Sequence, residues 1–257
     1  MAIGKNRRIS KGGKKGSKKK TVDTFARKEH YVVKAPSYFH VSNIANTMAS
    51  RSQGLKKSED SLRGRTFDIN LADLQKNEGQ SHRKIKLICE EVQGRNCYTD
   101  FHGLSVTRDY LCAQIRRHHS LIEAYVDVQT VDRYQLRMFC IAFTKSVPGQ
   151  MCVNCYAKTS QQKVIRSRMV KYMQQEASKC TLKELVKKLI PEGISKKIEK
   201  LCSSVYPVHN VSIYKVKVVK KPKLDVAKLM EHHSTAAVAG ELKEAKNLLS
   251  ADVVAES

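Results

Sequence analysis

The chain has 257 residues, enough for one large domain or two small ones, and its 41% hydrophobic content can fill a sizeable core. Lysine and arginine number 48 against 24 acids, a formal charge of +24. A free soluble enzyme with that excess would repel itself and bind polyanions indiscriminately, so the balance points to a polyanionic partner, nucleic acid before an anionic membrane surface. No apolar run nears the roughly 20 residues that cross a bilayer. The basic N-terminus has no apolar segment behind it, so neither a membrane span nor a secretory signal is expected. The eight cysteines are accordingly read as free thiols.

Residues 1–20 contain Lys5, Arg7, Arg8, Lys11, Lys14, Lys15, Lys18, Lys19 and Lys20, four glycines and no acid. Such a segment buries too little surface to offset its ordering entropy, which predicts a disordered basic arm that threads along phosphates. A solvated charge run or a nuclear-import signal would use the same residues. The pattern Gly-x-x-x-x-Gly-Lys-Ser/Thr is absent, so the Gly-Lys pairs make no phosphate loop. Asp23 and Thr24 offer a cap for a short helix into Ala26 to Glu29. Ala35-Pro36 forces extended backbone, so Tyr31 to Val41 reads as an edge segment or loop. Arg51 to Arg65 reads as a basic loop, with Lys56, Lys57, Arg63 and Arg65 able to touch phosphate.

Phe67, Ile69 and Leu71 alternate with polar neighbours, the period of a half-buried strand, before Leu71 to Gln75 switches to helical or turn spacing. This is where the globular part is expected to close around itself. Ile85, Leu87 and Cys89 alternate with charges, Gly94-Arg95-Asn96 supplies a turn, and Cys97 to Phe101 returns, which predicts a hairpin. Thr107 and Asp109 start a helix with Tyr110, Leu111 and Ile115 on one side, and Arg116, Arg117, His118 and His119 in its last turn. Ile122, Ala124, Val126, Val128 and Thr130 alternate, and Leu136 to Phe143 is apolar on both faces. Joined by Val131-Asp132-Arg133, these two strands are expected to lie deepest in the core.

Val164, Ile165, Met169 and Met173 follow helical spacing over residues 160–177, with Lys163, Arg166, Arg168 and Lys171 on the other faces of a basic amphipathic helix. Thr181-Leu182-Lys183-Glu184 is a capping box for a helix that Pro191 ends, and Ile194, Ile198, Leu201, Cys202 and Val205 mark another. Val208 to Val219 reads as a strand with Lys215 and Lys217 opposite Val216 and Val218. A last helix covers Asp225 to Glu231, and the alanine-rich tail from residue 234 is expected to be flexible. The fold class is therefore α+β, an antiparallel or mixed barrel-like sheet with flanking helices. Residues 21–233 form one domain between the arm and the tail.

Cys152-Val153-Asn154-Cys155 has zinc-knuckle spacing but lacks a second ligand pair in sequence, so both are read as loop thiols, with His209 or Cys180 as recruits only through the fold. The pairs His118-His119 and His232-His233 read as surface or RNA-facing groups. No catalytic signature occurs, and Asp68 with Asp73 or Glu90 with Glu91 has no acid/base geometry. Tyr98, Phe101, Phe139 and Phe143 sit in core patterns, leaving aromatic stacking a minor part.

Several runs together resemble one family: Gly64-Arg65-Thr66-Phe67 with Leu71-Ala72-Asp73-Leu74-Gln75, and Glu91-Val92-Gln93-Gly94-Arg95-Asn96-Cys97 with Phe101-His102-Gly103. Further matching runs are Thr107-Arg108-Asp109, Ile122-Glu123-Ala124, Arg137-Met138-Phe139-Cys140, Tyr206-Pro207 and Lys221-Pro222-Lys223. The family is S3Ae, or eS1, a small-subunit ribosomal protein of eukaryotes and archaea. Departures are local, with Thr24 in place of proline and His30 in place of tryptophan. The resemblance implies a non-catalytic component of the subunit platform, near the mRNA exit and the 3′ end of the subunit RNA, contacting neighbouring ribosomal proteins. It implies a cytoplasmic ribosomal location after nuclear and nucleolar passage, with no cofactor, metal, membrane or homo-oligomer. A basic adaptor acting outside the ribosome, or a nucleic-acid-modifying enzyme, is the competing reading of the same charge.

Overall fold

In the computed structural model, which describes residues 23–233, the strands are Lys28–Lys34 (β1), Asn43–Ser50 (β2), Thr66–Asn70 (β3), Arg83–Gln93 (β4), Asn96–Val106 (β5), Leu121–Gln129 (β6), Gln135–Thr144 (β7) and Val208–Lys220 (β8). Between them stand the helices Ser58–Leu62 (α1), Leu71–Gln75 (α2), Arg108–Gln114 (α3), Thr159–Ser178 (α4), Leu182–Leu189 (α5) and Gly193–Ser203 (α6), and residues 226–233 are helical. The basic arm and the tail lie outside the described residues.

The expected α+β class with a mixed sheet is what the chain adopts. The strand order is β2-β1-β5-β8-β7-β6, with β3 and β4 branching from β5. β2, β3 and β6 pair on one side only, so the sheet is open. Strand β5 is the hub: it pairs β4 over a long antiparallel hairpin, β1 in parallel and β8 antiparallel. Its pairing with β8 comprises only Gly103↔Lys217, Leu104↔Val216 and Ser105↔Lys215. A Cβ on Gly103 would lie 2.8 Å from the Val216 carbonyl oxygen, so glycine is what allows the two halves of the sheet to approach.

These pairings correct two expectations. The segment from Tyr31 is no edge: β1 lies between β2 and β5, and only after Lys34 does the chain leave the sheet at Ala35-Pro36. The strand around Phe67 is instead an edge, pairing β4 alone, with Ile69 buried and Phe67 half-buried against both apolar clusters. Leu71 is buried as the first residue of α2, whose cap is the Asn70 side chain accepting from the Ala72 N–H.

Strand β6 alternates exposed and buried residues without a break, and Ile122, Ala124, Val126 and Val128 form its inner row. It is also a sheet edge, so of the two strands expected to be deepest only β7 has partners on both sides. Helix α4 lies on β6 and α6 on β8, and Ile165, Met169 and Met173 complete the core with Leu136, Met138, Ile198 and Val216. Helices therefore cover one face of β6–β8.

Local details differ where short-range cues competed. The first helix is a single 3-10 turn, Phe25–Arg27, whose Phe25 N–H is held by Asp23 Oδ1 at 2.9 Å. The loop from Arg51 contains α1, with Leu62 buried. Helix α3 stops at Gln114 and buries no residue, so Arg116, Arg117, His118 and His119 lie beyond its last turn and Ile115 is exposed. On α4, Ala177 is buried and Val164 faces solvent; on α6, Leu201 is exposed. The α5 capping box forms, with Thr181 Oγ1 accepting from the Glu184 N–H at 3.4 Å and Glu184 Oε2 from the Thr181 N–H at 3.1 Å.

One buried cation ties the sheet to the helices. Arg83, 3% exposed, donates from Nη1 to the Ile190 carbonyl and from Nη2 to the Leu189 carbonyl, both at 2.7 Å, with Glu192 at 3.7 Å. The guanidinium satisfies carbonyls orphaned at the C-terminus of α5, where the helix dipole favours positive charge.

Because the β5–β8 junction is short and sterically tight, Gly103→Ala is expected to lower stability by about 1–3 kcal/mol, the size of a typical overpacking penalty. Chemical denaturation checks this, and an unchanged midpoint would mean that the junction tolerates a side chain.

Candidate nucleic-acid interface

The nine cations of residues 1–20 lie outside the described residues. Among the remaining expected contacts, the structure separates cations engaged in the fold from free ones. Lys56 and Lys57 are exposed before α1. Arg63 Nη2 donates to Glu91 Oε1 at 2.6 Å, and this bond holds its guanidinium further above the usual range. Arg65, half-buried, donates from Nη1 to Thr47 Oγ1 at 2.7 Å and to the Met48 carbonyl at 3.0 Å, clamping β2 beside β3. On α4, Lys163, Arg166 and Lys171 are exposed, whereas Arg168 donates to the Leu201 carbonyl at 2.7 Å and to Ser204 Oγ, closing α4 onto α6.

The fold adds cations that sequence reasoning did not single out. Lys187 on α5 and Lys196, Lys197 and Lys200 on α6 are exposed opposite Leu185, Val186, Ile194 and Ile198, which are buried. Amphipathic spacing carries that signal, because a lysine opposite each buried position must face solvent. With Arg166 and Lys171 they make the outer side of the helical layer basic. Lys188 is the exception, its Nζ bound to Glu176 Oε2 and Cys180 Sγ at 3.0 Å.

Two expectations about histidines and aromatics are corrected. His233 is buried, with Nε2 2.9 Å from the Thr99 carbonyl oxygen and its ring edge-on to Tyr98. His119 Nδ1 lies 2.5 Å from the Thr144 carbonyl oxygen. Phe101 and Phe143 are buried, but Tyr98 on β5 and Phe139 on β7 are only half-buried, Phe139 sharing its side of β7 with Gln135 and Arg137. Cys152 is exposed and Cys155 buried, its N–H donating to the His118 carbonyl at 2.8 Å. Among the described residues, no three His, Cys, Asp or Glu side chains group as metal ligands would. None of the described helices is long and apolar enough to cross a membrane.

Comparison with known proteins bears on this cationic body directly. The model of the Ribosomal S3Ae family matches residues 16–222. The chain belongs to that family. Among its relatives, the small ribosomal subunit protein eS1 of Babesia bovis is 54% identical over 263 residues, covering 100% of this chain and 99% of the relative. That of Plasmodium vivax is 54% identical over 261 residues, covering 98% and 99%, and that of Cryptosporidium hominis 51% identical over 263, covering 99% and 100%. As a member of the S3Ae family this is a ribosomal protein, structural and not an enzyme.

The partition of cations predicts different outcomes for neighbouring substitutions. Arg65→Ala is expected to cost about 1 kcal/mol of stability through its hydrogen bonds, while Lys171→Ala leaves the melting temperature unchanged; equal melting temperatures would contradict the clamp.

A pH dependence follows from the histidines. Burial lowers His82, His102, His209 and His233 below the ordinary value of 6.5. The unfolded chain therefore takes up more protons as pH falls through that value, and the stability present above it is lost below it. Burial raises Asp100, which acts in the opposite sense because its carboxylate is disfavoured in the fold. The melting temperature should drop between about pH 7 and pH 5, around the histidine range, and His233→Gln should flatten the drop. A melting temperature independent of pH would contradict the assignment.

Proposed function

We propose that the chain is a structural constituent of the small ribosomal subunit that binds ribosomal RNA by neutralising phosphates and contacts neighbouring ribosomal proteins. The observation that carries this reading is full-length identity of 51–54% to proteins named for that subunit. Its chemistry agrees: a +24 chain is strongly unfavourable alone and is stabilised against a polyanion.

In this reading residues 21–233 act as one body and residues 1–20 as an arm, with Lys56, Lys57, Lys163, Arg166 and Lys171 facing phosphates. Phosphate contacts set position without reading sequence, and an A-form helix is recognised by shape, so base-specific contacts are few. The place in the subunit is the platform near the mRNA exit. The protein is there as one copy, in cytoplasmic ribosomes, after nucleolar passage during assembly. The charge excess disfavours self-association without RNA between copies and so supports the single copy.

Sedimentation of cell extract through a sucrose gradient at low salt tests the reading. The protein should migrate with small subunits, and recovery in the light fractions would favour an adaptor outside the ribosome. Replacing the nine arm cations with glutamine should weaken RNA association and flatten its salt slope by up to about 0.9 per lost phosphate contact; an unchanged slope would place the contacts elsewhere.

A further inference from the structure

The face of β6–β8 turned away from α4 and α6 is open around Tyr125, which is 65% exposed, whereas Ile141 and Phe143 further along β7 on that face are buried. Register fixes what lies there, because residues directly opposite on neighbouring strands share a face. One row runs Asp127, Arg137, Lys217, Gly103 and Lys86 across β6, β7, β8, β5 and β4. The next row runs Tyr125, Phe139, Lys215, Ser105 and Lys84.

A bulge adds one more ring. Cys140 pairs Ile213 but Phe139 pairs Lys215, so Tyr214 is the additional residue and is swung onto this face beside Phe139. The ring centroids of Tyr125 and Phe139 are 6.2 Å apart and those of Phe139 and Tyr214 5.9 Å, tilted by 35° and 51°. Lys217 Nζ stands 6.0 Å from the Phe139 centroid. Past Tyr214 a groove of about 500 Å3 continues between Lys86, His102, Arg108, Lys215 and Lys217. Gly103 supplies no side chain to block its floor.

Two acids of this face are engaged, while a third, Glu123 near Tyr214, is exposed without an ion pair among the described residues. Asp127 holds Arg137 through bonds of 2.6 and 2.7 Å, and Asp68 lies 3.4 Å from Lys86. Lys84, Lys215 and Lys217 have no ion pair among the described residues. Rings alone would also suit a protein–protein contact, but the free lysines interleaved with them do not, since lysine is depleted there. Together they suit a single nucleic-acid strand, whose bases stack on rings while cations follow its backbone.

We propose that this open sheet face binds a single-stranded segment of RNA, with bases against Tyr125, Phe139 and Tyr214 and phosphates along Lys215, Lys217 and the adjoining groove. It rests on the RNA-binding reading above and adds to it a site that discriminates an unpaired strand from a duplex, which hides its base faces.

The test uses the full-length protein, a labelled 12-nucleotide single-stranded RNA of mixed sequence, and an RNA hairpin whose stem has the same length. Tyr125→Ala and Tyr214→Ala should each raise the single-strand Kd about fivefold or more, the lower bound for losing one base–ring stack, and leave hairpin binding and the melting temperature unchanged. Tyr125→Phe should bind as the wild type. Lys215→Gln with Lys217→Gln should instead flatten the single-strand salt slope by about 1.4. Single-strand binding by both alanine variants equal to wild type would overturn this site and leave the RNA-binding reading standing; a wild-type protein that bound neither RNA would overturn both. Ultraviolet crosslinking of intact small subunits should join RNA to peptides containing Tyr125 or Tyr214, and crosslinks from these peptides to another ribosomal protein alone would overturn the proposal.

Discussion

The approach of β5 to β8 at Gly103 is the constraint on which the rest of the molecule depends. Three residue pairs join a half built from β1–β5 to a half built from β6–β8, and a single methyl group at Gly103 would strike the Val216 carbonyl oxygen. Because the junction is short, a second tie matters. Arg83, at the start of β4, reaches across to the end of α5 and fixes the helical layer relative to the hub strand. Together they make the positions of charges on one half a function of the other, which a protein that matches a folded RNA surface requires.

Cations divide by chemistry. The guanidinium can donate to several acceptors at once: Arg83 binds two carbonyl oxygens, and Arg65 and Arg168 each bind one carbonyl and one hydroxyl oxygen, holding strands and helices together. Lys187, Lys196, Lys197 and Lys200 on α5 and α6, point charges on flexible stems, remain directed outward. A high charge therefore does not translate residue by residue into RNA contacts: part of it is internal structure. On the proposed reading, removing such an arginine acts on RNA binding through the fold.

Much of the architecture was legible in the sequence. Where alternation was long and bounded by a turn residue, as in β4–β5 with Gly94 and β6–β7 with Arg133 in the left-handed region, local pattern and tertiary pairing agreed. The α5 capping box was legible because both of its bonds are local. The parallel pairing of β1 with β5 was not, since Val32 and Asn96 meet only through the fold. The outward turn of Phe139 was hidden for a related reason. From Met138 to Phe143 the run is all apolar and shows no alternation, so the register with Tyr125 and Lys215 is what reveals which rings face solvent. Among the basic residues, sequence marked the clusters but not their engagement, because the carbonyls that capture Arg83 and Arg168 lie far along the chain.

The central claim is that the sheet holds a cationic helical layer against ribosomal RNA. A density map of the small subunit at side-chain resolution, with this chain in place, tests it most directly. The account predicts RNA phosphates within ion-pair distance, about 4 Å, of exposed helical cations such as Arg166, Lys171 and Lys197, while Arg83 and Arg168 keep their intramolecular carbonyl partners. Helices α4–α6 turned to solvent in the assembled subunit, or Arg83 released from Leu189 and Ile190 onto phosphate, would contradict it.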